Sequence, residues 1–371
     1  MTTLSAGLVL AGCGTGTDDT VAPAATEVGV CTEQNLAFLG ALSGDAGVLG
    51  DNMANGVQLA IDEYNETATC KVGLKKFDSQ GDPEKAPDLA AQIVFDSTIV
   101  GLVGPGFSGE SLATGAVLFE AGLPSISPSA TNVTITQQGW TTWHRVIGND
   151  FAQGKADAVY LTQMVGAERV YIVDDGQDYS KGLATVVENS VGNAGVGHGE
   201  IEPEQKDMSD VVEAVTDAEA DAVFYGGYYT EAGRLVKQLR EAGWKGAFMS
   251  GDGAEDPAFV EIAGEAGEGA VLSAPAAPAP KHFAEKFEQA TGIEAGLYTT
   301  QAYDAANIFL AALAAGKSEP ADINMFIGAY QGDGVSGPIS FDAAGDIASS
   351  LIYAYHVRDG ELDTENPDPI K

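Results

Sequence analysis

The chain has 371 residues, and its 54 Asp and Glu against 18 Lys and Arg give a formal net charge of −36 and a pI of about 4.1. That balance excludes nucleic acid as a partner, because phosphate binding needs clustered Lys and Arg. It also sets the chain against an anionic membrane surface unless something other than charge holds it there. With 44% hydrophobic and 19% charged residues the chain can bury a sizeable core, and its length predicts two domains or one elaborate α/β unit. A body this acidic suits high ionic strength, where screening shortens the reach of self-repulsion.

Leu4 to Ala11 form a short apolar run, and Leu10-Ala11-Gly12-Cys13 resembles the lipobox of bacterial lipoproteins, which implies a diacylated Cys13. The alternative is an apolar tail with an incidental cysteine. A secretory n-region is positive, yet the first basic residue is Lys71, which leaves room for a start further upstream. The run is too short to span a bilayer as a helix, so any attachment is expected to be lipid. Gly14 to Val30, rich in Gly, Thr, Asp, Ala and Pro, reads as a flexible tether. Cys31 and Cys70 each precede a strand-like run. If those strands neighbour each other in a parallel sheet, a disulfide between the two cysteines is in reach, and export would supply the oxidising compartment. Two unpaired thiols are the alternative.

From residue 36 onward, short apolar runs alternate with amphipathic stretches. The pattern predicts strand 36–40, helix 52–65 and strand 72–77, then a helix opening at Asp82-Pro83-Glu84 with Asp as cap and Pro at the first helical position. Strand 99–103, helix 111–121 and strand 125–127 continue the series. A second series begins after Gly148: strand 170–173, helix 179–193, a run near 199–201, helix 209–218, strand 222–225, helix 230–242, strand 247–250 and a helix near 257–263. Strand 269–273 follows, Ala274 to Pro280 breaks regular structure, and helices are expected at 282–290 and 300–315. Segment 337–342, strand 351–356 and a polar tail from Asp359 close the chain. Repeated βα units predict α/β architecture with two successive doubly wound parallel sheets.

Gly104-Pro105-Gly106-Phe107-Ser108-Gly109 fits G-x-G-x-x-G between a strand and a helix. A dinucleotide site is disfavoured because the next strand ends in Ser127-Pro128-Ser129 and not in an acid. The Gly-rich turn still leaves helix N-terminal amides for an anion, with Ser108 as a further donor. Ser127-Pro128-Ser129-Ala130-Thr131-Asn132 adds a second cluster of hydroxyls and amides at the same sheet edge. Two such strand ends, without Lys or Arg, suit one small carboxylate; either alone would read as turn chemistry. In the second series, Tyr179 opens a helix, Gly226-Gly227-Tyr228-Tyr229 exposes backbone beside rings, and Asp252 stands between Gly251 and Gly253. Rings and a carboxylate together suit an ammonium ion. Tyr225 and Tyr229 read equally as core. None of His144, His198, His282 and His356 has metal-ligand spacing, and Ser108 has no placed His, so no cofactor, metal or catalytic group is expected.

Gly40-Ala41-Leu42-Ser43-Gly44, Gly50, the run from Asn55-Gly56-Val57 to Glu63-Tyr64-Asn65, and Asp78-Ser79-Gln80-Gly81-Asp82-Pro83 resemble the periplasmic leucine/isoleucine/valine-binding protein family. So do Ser127 to Asn132, Tyr225 to Tyr229 and Tyr303-Asp304-Ala305; the resemblance runs from about Leu36 to Gly360. It implies two α/β lobes joined by a three-segment hinge, with lobe 1 at 31–147 plus 275–350 and lobe 2 at 148–274 plus 351–371, behind a signal at 1–13 and a tether at 14–30. It implies that Ser108, Ser129, Ala130 and Thr131 hold an α-carboxylate and that Asp252, where leucine-binding members carry Glu, pairs with the α-ammonium. Tyr179 and Tyr228 would cover the ligand, with Leu49, Phe107 and Thr300 near its side chain. The function so implied is that of an exported, lipid-anchored solute-binding protein, a monomer at the outer face of the cytoplasmic membrane, which delivers an aliphatic amino acid to the permease of an ABC importer. A ligand without an ammonium group (an amide, urea or an aromatic carboxylate), a ligand-sensing receptor, and a hydrolase are the alternatives.

Overall fold

The computed structural model describes residues 31–371, so the lipobox Cys13 and the tether at 14–30 lie outside the described residues. The first series runs β1 (Gln34–Gly40), α1 (Gly47–Thr67), β2 (Val72–Asp78), α2 (Ala86–Phe95), β3 (Ile99–Val103), α3 (Ser108–Glu120), β4 (Ser125–Ser127) and β5 (Trp143–Arg145). These strands form one all-parallel sheet in the order β2-β1-β3-β4-β5. Residues Leu36 to Leu39 of β1 are wholly buried, as a central parallel strand covered on both faces requires.

The second series runs α4 (Asp150–Val159), β6 (Val170–Asp174), α5 (Asp178–Val191), β7 (Gly195–Glu200), α6 (Ser209–Asp217), β8 (Ala222–Gly226), α7 (Tyr229–Glu241), β9 (Ala247–Ser250), α8 (Pro257–Ala263) and β10 (Val271–Ala274). After it come α9 (Lys281–Thr291), α10 (Thr299–Ala314), α11 (Pro320–Gly328), the hairpin of β11 (Gln331–Asp333) and β12 (Pro338–Ser340), and finally β13 (Ile352–Arg358), β14 (Glu361–Leu362) and β15 (Asp368–Ile370). The second sheet has the order β14-β13-β10-β9-β8-β6-β7, parallel from β7 to β10 and antiparallel from β10 to β13, with β15 also on β13.

Helix α10 packs on α1 and against β3 and β4, so it belongs with the first sheet although it follows the second in sequence. The chain therefore crosses between the sheets three times: after β5, after β10 and before β13. In each sheet strand order reverses once, between β1 and β3 in the first and between β6 and β8 in the second. Outside the carboxyl ends at such reversals, loops diverge and leave a crevice.

Several boundaries correct the sequence reading. No helix opens at Asp82; that carboxylate accepts from the Glu84 amide in a turn, and α2 starts at Ala86 with Pro87 in its first turn. Helix α3 begins at Ser108, inside the glycine motif and three residues earlier than expected. Strand β5, helix α4 with the π-helical turn Tyr160–Val165 that follows it, and helix α11 were not anticipated. Nor is the polar tail free: Asp363 donates its amide to the His356 carbonyl, and Asp368 to Ile370 pair with β13. Cys31 and Cys70 are both disulfide-bonded, and β1 and β2 are parallel neighbours in register from Gln34 and Val72. Among the described residues no helix is long and apolar enough to cross a membrane.

Candidate functional site

The loops at the two reversal points face each other across a narrow cleft. Gly106, Phe107 and Ser108 follow β3, Ser129 follows β4, and Leu49 stands in the first turn of α1. From the second sheet come Tyr179 after β6, Tyr228 after β8, and Asp252 with Gly253 after β9. The structure thus gathers Leu49, Phe107, Ser108, Ser129, Tyr179, Tyr228 and Asp252 from positions as far as 203 residues apart in sequence.

On the first side, neutral donors are fixed by neighbouring backbone. Phe107 sits at the extended N-cap of α3, and the buried Glu110 carboxyl group accepts from its amide at 3.2 Å. Ser108 Oγ accepts from the Asn132 amide at 3.2 Å, and Ser129 Oγ donates to the Gly106 carbonyl at 2.5 Å. Ser127 joins the two strand ends by donating to the Pro105 carbonyl at 2.7 Å and accepting from the Ala130 amide at 3.0 Å. Among the described residues no Lys or Arg lines the cleft.

On the second side the dominant group is Asp252, which is 1% exposed. Tyr179 donates to Asp252 Oδ1 at 2.8 Å and accepts from the Gly253 amide at 2.8 Å, while Tyr298 donates to Oδ2. Burial pushes the Asp252 carboxyl above the ordinary range, and the two phenols draw it partly back. The ring of Tyr228 lies 5.3 Å from that of Tyr179 and 5.9 Å from that of Phe107, so aromatic faces flank the carboxylate. Behind this wall Asp150, Gln153 and Asp157 share one buried face of α4, and Gln153 donates to the Ser273 carbonyl and hydroxyl at 3.2 and 3.1 Å. Burial raises Asp150 to about 7 and Asp157 well above its usual value.

The side chains of three expected residues do not line the cleft. Ala130 is buried behind Ser129; Thr131 is buried too, and its hydroxyl sits against Asp150 without a well-formed hydrogen bond. Thr300 Oγ1 turns to Gln301 Oε1 at 2.9 Å within α10. Conversely, Tyr298 lines the cleft and was missed. It precedes α10 with φ 65°, a left-handed conformation uncommon for a bulky residue; an aromatic just before a helix start was the signal available. Tyr225 is core, as the alternative held, whereas the Tyr229 hydroxyl reaches across to the Asp45 carbonyl. Asn132 Nδ2 likewise crosses to the Asp178 carbonyl at 2.6 Å. Ser108 has no histidine partner, and no group of three or more His, Cys, Asp or Glu among the described residues is placed to hold a metal.

The pattern of the periplasmic binding protein family matches residues 33–361, across both sheets and every loop of the cleft. The chain belongs to that family. Periplasmic binding proteins are exported solute-binding proteins and not enzymes, which matches a cleft built of hydrogen-bond donors, rings and one carboxylate. The chain is similar to the Leu/Ile/Val-binding protein of Escherichia coli K12, with 30% identity over 349 residues covering 91% of this chain and 93% of the relative. Among solved structures it resembles a leucine-binding protein from Thermotoga maritima, with TM-score 0.83, 28% identity and coverage of 90% and 98%. It also resembles a branched-chain amino acid transporter substrate-binding protein from Streptococcus pneumoniae in complex with isoleucine, with TM-score 0.84, 25% identity and coverage of 92% and 100%. The type I periplasmic binding protein fold, two α/β lobes joined by three chain segments, follows from these likenesses and from the observed topology.

Proposed function

We propose that this periplasmic binding protein captures the zwitterion of an aliphatic amino acid, branched-chain ones first, and delivers it to the permease of an ABC importer. The observation that carries the reading is the polarity of the cleft: neutral hydroxyl groups on the first lobe at Ser108 and Ser129, and the buried carboxylate of Asp252 on the second. An acid end and an ammonium end, a few bonds apart, meet those two sides together. A ligand that touches both lobes favours the closed arrangement over the open one and so shifts the population toward closure. The names of the relatives, a Leu/Ile/Val-binding protein and an isoleucine-bound transporter component, support the same ligand class. In this reading Leu49, Phe107 and Tyr298 surround the ligand's side chain, and the lobes comprise 31–147 plus 275–350 and 148–274 plus 351–371. Cys31 pairs with Cys70, and lipid at Cys13 tethers a monomer to the membrane.

A thermal-shift screen of the twenty amino acids, benzoate and urea tests it. Ligand at one hundred times its dissociation constant adds about 2.7 kcal/mol to stability, so leucine, isoleucine or valine should raise the melting temperature by several degrees. A response to benzoate or urea alone would overturn the reading, as would no response to any amino acid.

A further inference from the structure

Among the described residues no cation stands on the carboxylate side of the cleft, in a protein of net charge −36. We infer that Arg145, which does not touch the cleft, supplies the missing positive polarity through the peptide units of the Ala130–Asn132 loop, and that it is a positioning residue for ligand carboxylate; the inference rests on the zwitterion reading above. Arg145 ends β5 and is the one Lys or Arg within the buried set of the described residues, with no exposed surface. Its Nη1 donates to the Ala130 carbonyl at 2.9 Å and the Asn132 carbonyl at 3.0 Å. Its Nε meets Asp346 Oδ1, and Nη2 lies 3.4 Å from Thr136 Oγ1. A trans peptide sets its N–H opposite to its C=O. A guanidinium on the Ala130 carbonyl therefore draws electron density from the Ala130–Thr131 unit and strengthens the Thr131 N–H as a donor pointing away from the arginine. Among the described residues that N–H has no protein acceptor, while in the next peptide unit the Thr131 carbonyl accepts from the Asp150 amide at 2.9 Å. Only arginine offers several donors in a rigid fork with a charge retained when buried.

Asp346, in the segment that leads to the third crossing, balances the charge. Besides Arg145 it approaches Thr136 Oγ1 at 3.3 Å and Asn149 Nδ2 at 3.4 Å, and Asn149 caps α4 at the first crossing. Asp346 therefore sets how much of the arginine's field reaches the loop. This separates polarity from scaffolding, because the two make opposite predictions for Asp346→Asn.

The experiment measures L-leucine and L-leucinamide binding by calorimetry on the full chain, with melting temperature alongside. Arg145→Gln is expected to lose tenfold or more in leucine affinity and at most threefold for leucinamide, which lacks the carboxylate. Arg145→Lys, with charge but without the fork, should fall between. Asp346→Asn should tighten leucine binding severalfold even while it lowers the melting temperature. Arg145→Gln within threefold of wild type for leucine overturns the inference. So does Asp346→Asn weakening leucine and leucinamide alike, an outcome that stays readable if the Arg145 variants fail to fold. Wild-type protein that binds neither probe defeats the zwitterion reading itself, and is told apart by that.

Discussion

Replacing Asp252 by Asn isolates one charge at the centre of the cleft. The side chain keeps its size and one acceptor oxygen, and the phenols of Tyr179 and Tyr298 can each donate or accept, so the hydrogen bonds at Oδ1 and Oδ2 can be rebuilt around an amide. What disappears is the partner for an ammonium group. Two oxygens offer about four lone-pair sites, more than the two tyrosines occupy. Truncating one member of a buried, hydrogen-bonded charge pair costs about 2–5 kcal/mol of binding. At about 1.4 kcal/mol per decade, leucine affinity should fall roughly 30- to 3,000-fold. Stability should move the other way. Burial holds the Asp252 carboxyl above its usual pKa, so its ionised form is a cost to the folded chain at neutral pH, and the amide removes that cost. Calorimetry with L-leucine and a ligand-free melting curve give both quantities. Affinity within threefold of wild type would refute the assignment of Asp252 to the ammonium; a fall in affinity that tracks a fall in melting temperature would mean only that the cleft had collapsed.

Glu110 is buried beneath Ser79 and the Phe107 amide, and burial raises it to about 7 from an ordinary 4.5. A carboxyl raised on folding stabilises below its unfolded pKa and loses that contribution as pH climbs through its folded one. Ligand-free melting temperature should therefore fall from pH 5 to pH 8, and Glu110→Gln should flatten part of that slope, leaving the part due to the other buried carboxyls raised by burial, Asp150, Asp157 and Asp252 among them; an unchanged slope would contradict the assignment. Gly253→Ala would put a methyl 2.7 Å from the Gly227 carbonyl oxygen and 2.8 Å from Tyr179 Cε1. Overpacking of this kind costs about 1–3 kcal/mol, visible as a lower denaturant midpoint together with weaker leucine binding. Reduction of the disulfide, which in the proposed pairing closes a loop of some forty residues, should cost on the order of 4 kcal/mol by chain entropy; matched unfolding curves with and without reductant measure it.

The alternation of buried strands with amphipathic helices was legible because β1, β3, β6 and β8 are short, buried and each followed directly by a helix. The strand-end loops were legible for the same reason: glycine, serine and aromatic clusters stood where a parallel sheet places its ligand. What the sequence hid has physical causes. Helix α4 buries Asp150, Gln153 and Asp157, so its inward face is polar and its periodicity reads backwards. Strand β5 carries Trp143, His144 and Arg145, and nothing local distinguishes three such residues from a loop. Strand β15 contains Pro369, tolerated because it lies at a sheet edge. Tyr298 and Arg145 act across long separations in sequence, on Asp252 and Asp346 respectively, and only the folded chain brings those pairs together.

The three crossings also order events in time. Helix α10 covers the first sheet, packing on α1, β3 and β4, yet it lies more than 150 residues beyond β5 in sequence. Emerging from the ribosome or a secretion channel amino end first, the first sheet must wait without α10 while the whole second lobe appears. Long-range closure of this kind slows folding and leaves apolar surface exposed meanwhile. Truncation anywhere before residue 314 thus deprives both lobes at once, the first of its covering helix and the second of its antiparallel strand β13.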